Sequence, residues 1–300
     1  MNRAGGSHTA TAAGRGTRLL ADVTRRMDQV LRSVAGIVTA AESIAGAASR
    51  SPDGQARSGP TPSGPGPSGP VLRRDDFAAT RPLVAGLLRE HAGLAAGAGV
   101  VLAPHTVADA PRCIEWWWAD QSARIVPLEV DLDPESAEFY DYTTSDWYRE
   151  PERTGAPTLA GPYVDFICTH EYTFTLAAPV RQAGRFIGVA AADILATQVE
   201  RLVLPGLSGL GLAELGCTAV LASAHGRVIA STSASLPPGV ALPGRPWAAG
   251  FVLLAGPGLR PPRGWGEAPG CGEAPGRGQP PDGGQAPGLL PWTLLAVPAG

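Results

Sequence analysis

The stretch EYTFTLAAPVRQAGRFIGVAAADI, residues 171–194, constrains the fold more than any other part of the chain. Phe174, Leu176 and Ala178 alternate with Thr173, Thr175 and Ala177, Gln182, Ala183 and Gly184 form a loop, and Ile187, Val189 and Ala191 alternate on the return. Strand side chains point to opposite faces in turn, so the pattern predicts an antiparallel hairpin. GAGVVLAP reads as an earlier strand, CIEWWWADQSARIVPLEV as a hairpin around Asp120 to Ala123, TAVLASAHGRVIAST as one turning at His225 and Gly226, and WTLLAVP (292–298) as a last strand. In CIEWWWA, Trp117 points away from Trp116 and Trp118, so both faces of that strand are expected to be covered.

Helices flank these strands. Leu19, Leu20, Val23, Met27, Val30, Leu31, Val34, Ile37, Val38, Ala41, Ile44 and Ala45 recur at helical spacing, which predicts one long amphipathic helix over 17–50 after a disordered start at 1–16. Its apolar stripe is wider than a heptad seam and is expected to pack on the domain, with a homodimer seam as the second use of the same face. The Pro/Gly/Ser segment 51–71 is a linker. A second helix starts near Asp75 or Asp76 and runs to about His91, and ILATQVERLVLP forms another. Segment 255–288, with its repeated GEAPG unit, is a low-complexity insertion. A long helix followed by strands with few crossovers is an α+β architecture with a meandering antiparallel sheet.

Composition excludes several functions. The net charge is −3 with no basic run, so binding to nucleic acid by counterion release has little to act on. Cys113, Cys168, Cys217 and Cys271 are far apart and form no C-x-x-C pair, which argues against a zinc site and offers no disulfide framework. With no uninterrupted run of about 20 apolar residues, the chain reads as soluble and cytoplasmic. There is no G-x-S-x-G, phosphate-binding glycine loop or H-E-x-x-H, so neither an enzyme, a metal nor a cofactor is expected. The acidic run DLDPESAEF lacks the spacing of a calcium loop and reads as a solvated helix start.

All five tyrosines fall between Tyr140 and Tyr172, and three of them surround Trp147 in FYDYTTSDWYREP. Rings with an apolar face and a polar tip suit the wall of a small wet pocket. Asp193 shares strand parity with Ile187, Val189 and Ala191, so its carboxylate should project to an apolar side. There it either meets a cation or caps the helix that follows, and sequence alone leaves both readings open.

Trp147-Tyr148, GPYVD with Tyr163, the strand ending in Pro179-Val180, and GRFIGVAAADI ending in Asp193 together resemble a Cache sensor domain, a PAS-like and usually extracytoplasmic ligand-binding module. The resemblance covers roughly 75–205. It implies a PAS-like antiparallel sheet at 72–206 and a reduced second β lobe at 207–300. Amino-acid-sensing members are similar in placing site residues at Tyr140, Trp147, Tyr148, Tyr163 and Asp193, but Ser145 stands where they carry an arginine. The resemblance therefore implies a sensor for a small ammonium-bearing ligand, an amine or amino-acid-like molecule, that signals to a protein partner. Arg149 is the nearest guanidinium that could replace the missing one. The alternative is an interaction or dimerisation module acting through the first helix.

Overall fold

The computed structural model describes residues 4–50, 72–120, 122–167, 170–223, 226–242, 252–255 and 292–298. The expected linker and nearly all of the low-complexity insertion lie outside these residues, as does His225 of the second hairpin turn. The expected helix begins well before residue 17: α1 spans Ala4–Arg50. Its buried stripe, Val23, Met27, Val30, Val34, Ile37, Ala41 and Ala45, is at most 1% exposed. The three- and four-residue steps keep these side chains on one face. Glu42, which interrupts the hydropathy of this helix, accepts the Arg181 backbone N–H at 2.9 Å.

A 3-10 turn (Arg74–Thr80) leads into α2 (Arg81–Glu90). Strands β1 (Ala95–Leu102), β2 (Cys113–Ala119), β3 (Ile125–Pro127), β4 (Thr158–Val164), β5 (Tyr172–Gln182) and β6 (Arg185–Leu195) follow, with α3 (Asp146–Thr154) before β4. They form a six-stranded sheet in the order β3-β2-β1-β6-β5-β4, antiparallel throughout. Helix α4 (Ala196–Ser208) then leads to a second sheet of β7 (Cys217–Ala222), β8 (Val228–Ser231), β9 (Val252–Ala255) and β10 (Thr293–Pro298), ordered β8-β7-β10-β9. The α+β class, the long first helix, the PAS-like sheet and the smaller second β lobe are all present. One core, built on α1, runs from Phe77 and Phe174 through Val199 and Val203 of α4 to Leu221 and Leu294 of the second sheet.

Four expectations change. The acidic run starts no helix: Asp131 Oδ1 accepts the N–H of Asp133, and Asp133 Oδ1 that of Glu135, two turns in a loop. Ile187 lies on the opposite face from Asp193, packed with Ala190 and Ala192, whereas Val189 and Ala191 share the Asp193 side. The reason is a bulge. Val180 pairs Gly188 and Arg181 pairs Phe186, which leaves Ile187 unpaired and reverses the alternation. Gly188 has φ +148°, and a Cβ there would stand 2.3 Å from the Val101 carbonyl oxygen, so this strand needs glycine.

The third change is chemical: Cys217 is disulfide-bonded, against the expectation of unpaired thiols. The fourth concerns α1. Within it, in Thr11–Ala48, one 18-residue window reaches a mean hydropathy of 1.3, enough by length and composition to cross a membrane, although one face of that segment is built into the core. The disulfide removes one ground for a reducing, cytoplasmic setting, and α1 does not confirm the other.

Candidate functional site

One face of the six-stranded sheet is left uncovered by α1. It carries Gly97, Gly99 and Val101 on β1, Ile114 and Trp116 on β2, Thr175 and Ala177 on β5, and Val189, Ala191 and Asp193 on β6, brought side by side by the strand register. Helix α3 and the loop after β3 close over it. Between them lies a small, partly open cavity of about 40 Å³, with room for only a few non-hydrogen atoms before its walls move. Trp116, Tyr140, Trp147, Tyr163, Thr175 and Asp193 line it, with Val101, Ile114, Leu128 and Ile167 as apolar wall and Asp165 as a second acid.

The strands and α3 thus bring together four of the six expected site residues. Tyr148 is not among the lining residues. It is 2% exposed and packs edge-on against Tyr142 and Phe186, with ring centroids 5.4 and 5.5 Å away. Adjacent helix residues diverge by about 100°, so Trp147 facing the cavity turns Tyr148 into the core behind it. Ser145 is the N-cap residue of α3, and its backbone carbonyl accepts the N–H groups of Tyr148 and Arg149. Its side chain does not line the cavity either. Arg149 is exposed and also absent from the lining, so it does not stand in for the missing arginine.

Asp193 is buried at 8% exposure and does not cap α4, whose N-cap residue is Leu195. Thr175 Oγ1 donates to Asp193 Oδ1 at 2.6 Å. The Tyr163 hydroxyl is in very close contact with Thr175 Oγ1, so when Thr175 donates to the ionised Asp193, Tyr163 is the donor to Thr175. No described residue forms an ion pair with Asp193. Burial, against the single hydrogen bond from Thr175, pushes its carboxyl up to about 7, with the charge of Asp165 adding to the rise. Tyr163 is held well above its ordinary range, chiefly by burial and then by the charge of Asp193. Arg112 lies beside the tyrosine cluster. It pairs with Asp141 at 3.0 Å and lies over the Phe139 and Tyr142 rings, clamping the loop that carries Tyr140.

Sequence reasoning missed Trp116, Thr175 and Asp165. The cross-strand pairs Gly99 with Trp116 and Thr175 with Asp193 place the first two, and that register is visible only once the sheet is assembled. Among the described residues no group of three or more metal-ligating side chains occurs. Chemically, the arrangement offers a buried carboxylate, one oxygen of which takes a hydrogen bond, inside a wall of aromatic rings.

Residues 88–201 match the family of methyl-accepting chemotaxis protein-like, first PDC sensor domains. The match contains most of the six-stranded sheet and the cavity-lining residues. Among solved structures, the chain is similar to a protein named methyl-accepting chemotaxis protein X at 17% identity, covering 90% of this chain and 92% of that one with a TM-score of 0.49. It is similar at 16% identity to the ligand-binding domain of the Campylobacter jejuni chemoreceptor Tlp3, crystallised with L-norvaline, over 78% of this chain and 75% of that one, with a TM-score of 0.44. An extracellular domain assigned to a histidine kinase is similar at 19% identity, with a TM-score of 0.37 over 52% of this chain; the chain spans only 55% of that domain.

Proposed function

We propose that the protein is a sensor whose PAS-like sheet binds a small ammonium-bearing metabolite in this cavity and signals the binding to a protein partner. The observation that carries the reading is Asp193, a buried acid in an aromatic-walled cavity with no cation beside it among the described residues. A buried carboxylate is costly unless it is paired or protonated. A ligand ammonium supplies the missing charge, and rings such as Trp147 and Tyr163 attract such a cation by roughly 0.5–2 kcal/mol each when it is desolvated. The match of residues 88–201 to a sensor family supports the same reading.

The route to a partner runs through α1. Thr175 touches Asp193 at one end of β5, and at the other end Gln182 Nε2 donates to the Ala45 carbonyl at 2.7 Å while Arg181 is held by Glu42. A ligand that repositions Asp193 and Thr175 pulls on a strand fastened to the long helix. The disulfide at Cys217 favours an oxidising, extracytoplasmic setting.

No basic side chain lines the cavity among the described residues, and two acids do. A ligand carboxylate would therefore be desolvated without a counter-charge. Small amines are expected to bind more tightly than the α-amino acids that share their side chains, by roughly tenfold or more. Calorimetry with ethylamine against alanine and ethanolamine against serine tests this, and tight binding of an amino acid with none by the amines would overturn the amine reading.

A further inference from the structure

We propose that Trp116 sets the ligand preference of this cavity, its indole lying over Gly97 and its N–H donating to a neutral acceptor oxygen carried by the ligand. This rests on the reading of the cavity as an ammonium site. Trp116 is 7% exposed and lines the cavity, and its Nε1 is the one buried side-chain nitrogen or oxygen among the described residues without a hydrogen-bond partner. Buried donors are nearly always satisfied, so an orphan N–H on a side chain that lines the cavity points to a partner brought by the ligand.

Its position follows from the register. Trp116 stands opposite Gly99, and its ring reaches along β1 to Gly97, where a Cβ would lie 2.7 Å from Nε1. Glycine at 97 is what lets the indole lie against the sheet. On its other side Gly97 pairs with Asp193. The orphan N–H and the buried carboxylate therefore flank the same residue on the same face, a donor beside a negative charge.

A ligand that satisfies both carries an ammonium for Asp193 and an acceptor oxygen one or two carbons away for Trp116. That oxygen is neutral, a hydroxyl or carbonyl, because Asp165 and Asp193 both oppose a carboxylate there. The ligand class is a small amino alcohol or amino amide in preference to an alkylamine of the same shape. Sites built to hydrogen-bond a ligand oxygen discriminate strongly against analogues that lack it, since the protein group is then left unpaired.

Ethanolamine and propylamine differ by a hydroxyl against a methyl and serve as the probes. Calorimetry on the full chain is expected to show ethanolamine binding roughly tenfold more tightly. Trp116→Phe, which keeps a ring but removes the N–H, is expected to abolish that difference, with ethanolamine losing more affinity than propylamine. In 15N-tryptophan-labelled protein, the indole resonance missing from Trp116→Phe should move with ethanolamine and stay in place with propylamine. Should the variant fail to fold, the wild-type preference and an indole shift specific to ethanolamine carry the test. Equal binding of the two amines, or a preference that survives in Trp116→Phe, would overturn the role of Trp116 and leave the ammonium site standing. Binding of neither amine would overturn both.

Discussion

Asp193→Asn is expected to make the ligand-free protein more stable at pH 8 and to remove a pH dependence that the native protein carries. The Asp193 carboxyl is pushed up to about 7 by burial, from an ordinary value of 3.8. Between these values the unfolded chain has released the proton and the folded protein still holds it. The folded state then binds more protons, so this residue's contribution to stability is fully present below about pH 4, falls as pH rises through 7, and is flat above. At pH 8 the native protein carries the whole cost of a buried, unpaired charge, on the order of a few kcal/mol. Asparagine has no charge to bury and keeps an oxygen for Thr175. A melting temperature roughly 5 °C or more above wild type at pH 8, with little difference at pH 4, is the expected result. Acids such as Asp120 and Asp141 titrate with the opposite sign, held low by hydrogen bonds from Arg124 and Thr143 respectively. They are common to both proteins and cancel in the comparison.

The second large effect concerns α1. Removal of residues 1–50 strips a fully buried stripe from one face of the six-stranded sheet, from α4 and from the second sheet. Each large apolar side chain taken from such a core is worth about 1.5–3 kcal/mol. Met27, Val30, Val34 and Ile37 together thus approach the 5–15 kcal/mol that holds a typical domain folded. The truncated chain is expected to aggregate or to lose its cooperative melt, seen by gel filtration and circular dichroism. Ile37→Ala in the full chain, at a cost of about 2–5 kcal/mol, should lower the melting temperature without aggregation. A truncated protein as soluble and stable as the intact one would make α1 an appendage and break the proposed route from β5 to a partner.

Much of this architecture was legible in the residues. Period-two alternation located β5 and β6, and three-to-four spacing located α1, because each of these elements buries a regular face. Ile187 defeated the parity argument, since a single bulged residue at the Gly188 kink reverses every side chain before it and alternation alone cannot show an inserted residue. Asp193 survived because it lies after the bulge. In the site, Tyr140, Trp147 and Tyr163 were found through tyrosine clustering and family resemblance. Trp147 and Tyr148 cannot both face the cavity from consecutive helix positions. Trp116 and Thr175 were hidden because they reach the cavity only through cross-strand register, a property of residues distant in sequence. Spacing likewise could not reveal that Cys217 is paired, since sequence separation says nothing about which thiols meet in space.

The carboxyl of Asp193 is the most direct witness of the ammonium site. Its 13C resonance, assigned by its absence in Asp193→Asn, can be titrated without ligand and with saturating ethanolamine or propylamine. The account predicts a midpoint near 7 in the free protein and one lower by more than about one unit with amine bound, since an adjacent cation favours the ionised form. An identical midpoint with and without an amine that demonstrably binds would place the ligand elsewhere and contradict the account.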